Sequence, residues 1–238
     1  MCHRLRSTTT SRGAEMSKNP SVSVITPVHV GRLAGPMLRM ATESVYSQTR
    51  PVEAHIVAID TNREGAAATR QRALDSVTTD WVACLDSDDV FLPKHIEWLM
   101  KHAQETGADF VYSWFKVLQQ FANGTTQILE HDPVFPITHY LNPFDPEDPI
   151  ETTITVLVRT ELAKQVGYKA LDRGHDSNSG EDRHFTMGCL EAGAKISHLV
   201  RKSWLWRHHQ LPNGQPGNTS GLPTKGDSNL AWQNAKIV

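Results

Sequence analysis

Hydrophobic and polar positions change their period from block to block along this chain, and the changes mark out its elements. Residues 21–26, SVSVIT, alternate and are β-branched, which predicts a first strand ended by Pro27. His29-Val30-Gly31-Arg32 then reads as a loop at that strand's C-terminal end. From Pro36, the residues Leu38, Ala41 and Val45 recur at helical spacing as far as Gln48. Residues 52–60, VEAHIVAID, read as a second strand closing on an acid, and Gly65 opens the alanine-rich helical block GAAATRQRALDSV. The compact apolar run WVACL at 81–85 reads as a buried third strand that stops at Asp86-Ser87-Asp88-Asp89. A helix follows over residues 93–105, with Ile96, Leu99, Met100 and Ala103 on one stripe and Gly107 as its stop. Residues 109–114, DFVYSW, make a fourth strand.

Strands and helices that alternate with short loops in this way predict a parallel, doubly wound α/β sheet. The second half departs from that rhythm. Residues 116–130 suggest a hairpin turning at Asn123-Gly124, and 131–148 an ordered loop rich in Pro, Asp and aromatics. A β-branched strand over 151–158 leads to a short helix capped by Thr160 and stopped by Gly167. After a flexible loop at 172–180, a helix opens at Glu181-Asp182, carries Phe185, Cys189 and Ala192 on one face and stops at Gly193. Two short strands are expected at 194–199 and 204–208. The expected organisation is one α/β domain over 21–210, with a Rossmann-like nucleotide-binding half (21–114), a mixed central sheet and an irregular acceptor-binding half (115–210). A disordered Ser/Thr/Arg-rich leader (1–20, with Met16 a candidate native start) precedes it, and a flexible tail (211–238), a candidate lid, follows it.

Composition narrows the function. The formal charge of −2 over 238 residues provides no global basic field for nucleic acid or an anionic membrane. Three widely spaced cysteines with no CxxC pair argue against a disulfide framework or a zinc site, and Cys84 and Cys189 read as small buried hydrophobes. No apolar run reaches the length of a transmembrane span and the first twenty residues lack a signal-peptide core, so a cytoplasmic location is expected.

The acidic block is the main chemical feature. Three carboxylates within four residues at a strand's C-terminal end repel one another unless a cation or several donors neutralise them. Such strand ends are where open α/β sheets bind ligands, and carboxylates that share Mg²⁺ or Mn²⁺ with substrate phosphates are common there. The alternative is an acidic turn that caps the following helix.

Several motifs fall in a shared order: SVITP, a strand ending in Asp60, GAAATRQRAL, LDSDD before a Leu-Pro helix start, and GEDRHF leading to EAGA. Over residues 21–209 this order resembles family 2 glycosyltransferases of the GT-A fold. The resemblance implies that Thr26 and Pro27 line a nucleotide pocket, and that Asp60 accepts from the base edge. It further implies that Arg70 reaches the base or diphosphate, and that Asp86 and Ser87 hold the sugar nucleotide. Asp88 would bind Mn²⁺ or Mg²⁺, with His208 (or His209) completing its coordination, while Asp89 either joins them or caps the next helix. Asp182 would be the general base of an inverting transfer, kept ionised by its place at a helix N-terminus. Glu181 and Trp206 would meet the acceptor, a saccharide or other hydroxyl compound, and a UDP-sugar is the favoured donor. Three positions depart from the family pattern: Asp60-Thr61-Asn62 in place of an acidic doublet, Gln71 in place of Asn, and Arg72-Ala73 in place of a residue followed by Gly. A nucleotidyltransferase, or a non-catalytic nucleotide- or carbohydrate-binding module, are the competing readings.

Overall fold

The computed structural model describes residues 19–121, 123–131, 140–147, 154–169, 180–210 and 216–217, the side chains of 209, 210, 216 and 217 excepted. The predicted leader to residue 18, most of the tail and residues 172–179 of the predicted loop lie outside these. The chain runs β1 (Val22–His29), α1 (Pro36–Tyr46), β2 (Ala54–Asp60), α2 (Ala66–Asp75), β3 (Trp81–Cys84), β4 (Val90–Phe91) and α3 (His95–Thr106). It continues through β5 (Phe110–Gln120), β6 (Thr126–Leu129), β7 (Val156–Arg159), α4 (Thr160–Val166), α5 (Glu181–Glu191), β8 (Ile196–Gln210) and β9 (Pro216–Gly217).

These strands form one sheet in the order β2-β1-β3-β7-β5-β8-β4, with β6 added beside β5 and β9 beside β8. β1 runs parallel to both β2 and β3, as the alternating first half predicts. The fourth predicted strand, β5, is not placed next to β3. β7 lies between them, antiparallel to both, so the sheet is mixed. β8 lies parallel to β5, and β4 pairs antiparallel with β8. The Asn123-Gly124 hairpin is present, with Gly124 at φ 85° and Asn123 Oδ1 accepting from the Thr125 amide.

Alternation along the central strands divides the core. Trp81, Ala83 and Leu85 face α1 and α3, where Val45, Ile96, Leu99 and Met100 are fully enclosed. Val82 and Cys84 face α2, α4 and α5, where Leu74, Ala163, Phe185 and Cys189 pack. Burial pushes the Cys84 thiol up to about 12, which leaves it an inert core residue, as its apolar setting predicts.

Four boundaries differ from the sequence reading, each for a physical reason. β1 runs on through Pro27 to His29: with β2 on one side at the full register and β3 only as far as Ile25, Pro27 lies where the ladder to β3 has already ended. The two strands expected at 194–199 and 204–208 are one, β8, joined across an irregularity opposite Ser113, Trp114 and Phe115 of β5. Thr160 begins α4 but its side chain does not cap it. Asp89 does not cap α3 either: Gln48 Oε1 accepts from the Ile96 amide at 3.0 Å, and Gln48 Nε2 donates to Leu92 O at 2.9 Å. No helix among the described residues is long and apolar enough to cross a membrane.

Candidate functional site

The C-terminal ends of β1, β2 and β3 open on one side of the sheet, where α2 and α5 begin. α2 carries Arg70 inward at 3% exposure. Its guanidinium donates to Asp86 Oδ1 at 2.6 Å, just past β3, and to Glu181 Oε1 at 2.8 Å, the first residue of α5. Asp182 Oδ1 lies 3.7 Å from the same Arg70 nitrogen. One buried cation therefore gathers carboxylates from segments about a hundred residues apart in sequence. Burial works against the charge on Arg70, but the surrounding acids, Asp86 foremost, keep it protonated far beyond the physiological range.

Asp182 is the most perturbed acid whose value is within reach of neutral pH. Burial raises its carboxyl to about 7, against the opposing pull of Arg70 and the Ile154 amide, and Glu181 and Asp86 add like-charge repulsion. About a third of the Asp182 side chain reaches solvent, but its Oδ1 is enclosed beside Arg70, and that enclosure is what raises the carboxyl.

The acidic turn carries a second arginine. Arg32, from the short 3₁₀ turn Val30–Arg32 that follows β1, reaches Asp88 Oδ2 at 2.8 Å and Ser87 Oγ at 3.4 Å. A third comes from β8. Arg207, 2% exposed, donates through Nε to the Asp88 carbonyl at 2.7 Å, while its backbone amide donates to Asp89 Oδ1 at 2.9 Å. Burial, with Asp88 and Asp86 close by, pushes the Asp89 carboxyl far above the usual carboxylate range. Asp89 is thus a structural acid that ties the turn to β8.

Arg32 and Arg207 are the residues the sequence reading missed. So many acids at one strand end require cations, but nothing local marks which arginines supply them: Arg32 sits in the turn after β1 and Arg207 within β8.

The remaining expected residues fall as follows. Thr26 lies within β1, fully buried, with its hydroxyl 2.9 Å from His55 Nε2, and Pro27 is buried beside it. Neither stands at the strand's end, because the strand continues past them. Asp60 is 5% exposed, and its two oxygens accept from the Glu64 and Gly65 amides at 2.8 and 2.9 Å, closing the loop that leads to α2. Trp206 is half-buried, edge-on to Phe115 and to His208. His208 shares that face of β8, whereas Arg207 projects to the opposite one and meets the acidic turn. Of His209 only the backbone is described, paired with Gly217.

Among the described residues no three His, Cys, Asp or Glu side chains gather as a ready-made metal cage. Asp88, the carboxylate expected to hold a divalent cation, has its Oδ2 paired with Arg32, and a lone carboxylate of this kind suits only a cation that takes most of its ligands from substrate phosphates.

Comparison with known proteins bears on this geometry. The family model described as "Glycosyl transferase family 2" matches residues 44–167. No curated protein sequence matches the chain. Among solved structures, S. aureus TarS 1-349 superposes with a TM-score of 0.58 at 19% identity, covering 78% of this chain and 60% of that one. The same fragment in complex with UDP-GlcNAc superposes with a TM-score of 0.59, also at 19% identity, covering 79% of this chain and 58% of that one. The longer TarS structure matches with a TM-score of 0.57 at 19% identity, covering 78% of this chain and 36% of that one. This chain therefore spans about three-fifths of the TarS fragment's length, and the likeness is one of fold, the GT-A fold with its mixed, helix-covered sheet.

Proposed function

The chain belongs to glycosyl transferase family 2, and on that premise we propose that it transfers a sugar from a nucleoside-diphosphate donor, a UDP-sugar by preference, to an acceptor hydroxyl with inversion at the anomeric carbon. One observation carries the reading: Arg70 draws Asp86 and Glu181 into hydrogen bonds and holds Asp182 alongside, next to the Asp88 turn. The UDP-GlcNAc complex of the TarS fragment, which shares this fold, supports a nucleotide-sugar donor.

The residues divide the work by their chemistry. Asp182, its carboxyl pushed up to about 7 by burial, is the base that takes the acceptor's proton. As the acceptor oxygen bonds to the anomeric carbon, the bond from that carbon to the diphosphate oxygen breaks and its electron pair leaves with the diphosphate. Attack from the base's side, opposite the leaving group, inverts the configuration. Asp86, with about a third of its side chain in solvent, is left by Arg70 in a position to accept from sugar-nucleotide hydroxyls. Ser87 belongs to the same donor side, and Asp60, in shaping the loop before α2, frames the base pocket. Glu181 and Trp206 are assigned to the acceptor side. Asp88 would hold Mn²⁺ or Mg²⁺, which would supply charge neutralisation for the leaving diphosphate.

Ligand-dependent thermal stability tests the donor assignment. UDP and UDP-sugars with Mn²⁺ are expected to raise the Tm of the wild type, by mass action on the folded state. The Asp88→Asn variant should lose the metal-dependent part of that rise. A wild-type Tm that no nucleotide moves, with or without Mn²⁺, would contradict the reading.

A further inference from the structure

Arg32 has no place in the division of work above, yet it forms an ion pair with Asp88, the carboxylate assigned to the metal. Its Nη1 lies 2.8 Å from Asp88 Oδ2, with the two side chains only 15% and 6% exposed. The arginine is delivered by a turn with little freedom. His29 Nδ1 accepts from the Gly31 amide, the Leu33 amide donates to Val30 O, and the Gly35 amide donates to Arg32 O. A side chain at Gly35 would press on that last carbonyl at 3.3 Å, so the turn and the arginine it carries are set together.

A divalent cation binds a carboxylate oxygen at roughly 2.0–2.6 Å. The guanidinium already stands against Asp88 Oδ2, and two like charges at a shielded carboxylate repel. Cation and Arg32 therefore compete for Asp88 in the donor-free protein. A guanidinium that leaves a carboxylate needs another anion, and its planar fork matches a diphosphate oxygen pair. This deepens the donor reading and rests on it.

We propose that Arg32 is a transferable counter-charge: it neutralises Asp88 when no donor is bound and passes to the donor's diphosphate when cation and nucleotide arrive together. Metal alone then binds weakly, and metal with a nucleoside diphosphate binds well. Arg32 is a positioning and specificity residue for the anionic half of the donor.

Binding of Mn²⁺ followed by electron paramagnetic resonance of the free ion, and of UDP by calorimetry, tests this on the full chain. Wild type, Arg32→Gln, Arg32→Lys and the double variant Arg32→Gln/Asp88→Asn are compared after confirming that each melts cooperatively. Arg32→Gln is expected to bind Mn²⁺ without nucleotide on the order of tenfold more tightly than wild type, the scale expected from removing a like charge at that distance. The same variant should bind UDP in the presence of Mn²⁺ on the order of tenfold more weakly, with Arg32→Lys intermediate. Adding Asp88→Asn should abolish the gain in Mn²⁺ affinity. Unchanged Mn²⁺ affinity in Arg32→Gln, in a protein whose wild type does bind UDP with Mn²⁺, overturns the counter-charge while leaving the donor site standing. A wild type that binds no nucleotide overturns both.

Discussion

Arg70 holds the candidate site together, and its neighbours make it costly to remove. Replacing it with Met leaves Asp86, Glu181 and Asp182 close together without their shared cation. Loss of one partner in a buried ion pair costs about 3–5 kcal/mol. Asp86 and Asp182 keep 34% and 35% of their side chains in solvent, so the lower end is expected, about 3 kcal/mol at pH 7 by urea denaturation. Without Arg70 the burial of Asp182 and the like charge of its acidic neighbours go unopposed, so its carboxyl lies further above its unfolded value and the deficit belongs to the pH range where it must ionise. It should narrow as pH falls toward about 4, where the unfolded chain's carboxyls are protonated as well. A deficit that stays constant from pH 7 to pH 4 would mean Arg70 acts through packing alone. At this scale the sequence was informative where residue type and position coincide: Asp86, Asp88 and Asp182 stand at a strand end or a helix start, and Arg70 lies one helix away. It was silent on Arg32 and Arg207, because an arginine in a polar loop or in an alternating strand looks like an ordinary surface residue. Only the fold reveals that both point into the acidic turn.

Among the elements, the junction of α1 and α3 shows how a distant side chain takes over a local task. Gln48, 6% exposed, accepts from the Ile96 amide in the first turn of α3 and donates to Ser44 O and Leu92 O. The residue preceding α3, Lys94, provides no side-chain cap. Gln48→Ala leaves a buried helix-start amide unpartnered and is expected to cost about 1–3 kcal/mol in urea denaturation. No loss of stability would mean that solvent reaches that amide. The helices were legible because their stripes repeat over several turns, as in α3 with its left-handed stop at Gly107 (φ 66°). β4 was not, since a two-residue strand has no period to read and exists only by pairing with Leu205 and Trp204. The continuity of β8 was hidden for a related reason: its register slips against β5, which breaks the alternation that would identify a single strand.

For the whole molecule, the site depends on how the sheet is ordered. β7 enters antiparallel between β3 and β5, so the chain returns to the middle of the sheet before α4 and α5 pack over the face that α2 occupies. That return brings Glu181 and Asp182 to Arg70. Nothing in the local pattern of residues 151–158 specifies which strands it enters between. Strand order is a long-range property, and only the succession of motifs pointed toward it. The central claim is that this convergence makes Asp182 the base for displacement of a nucleoside diphosphate. The most direct test is the release of UDP from UDP-sugars across pH, for wild type and Asp182→Asn, at saturating Mn²⁺. The account predicts a wild-type rate that climbs through about pH 7 as Asp182 loses its proton. For Asp182→Asn it predicts a rate lower by roughly 100-fold or more, with that limb gone. An Asp182→Asn protein that releases UDP as fast as wild type, with the same pH profile, would contradict it.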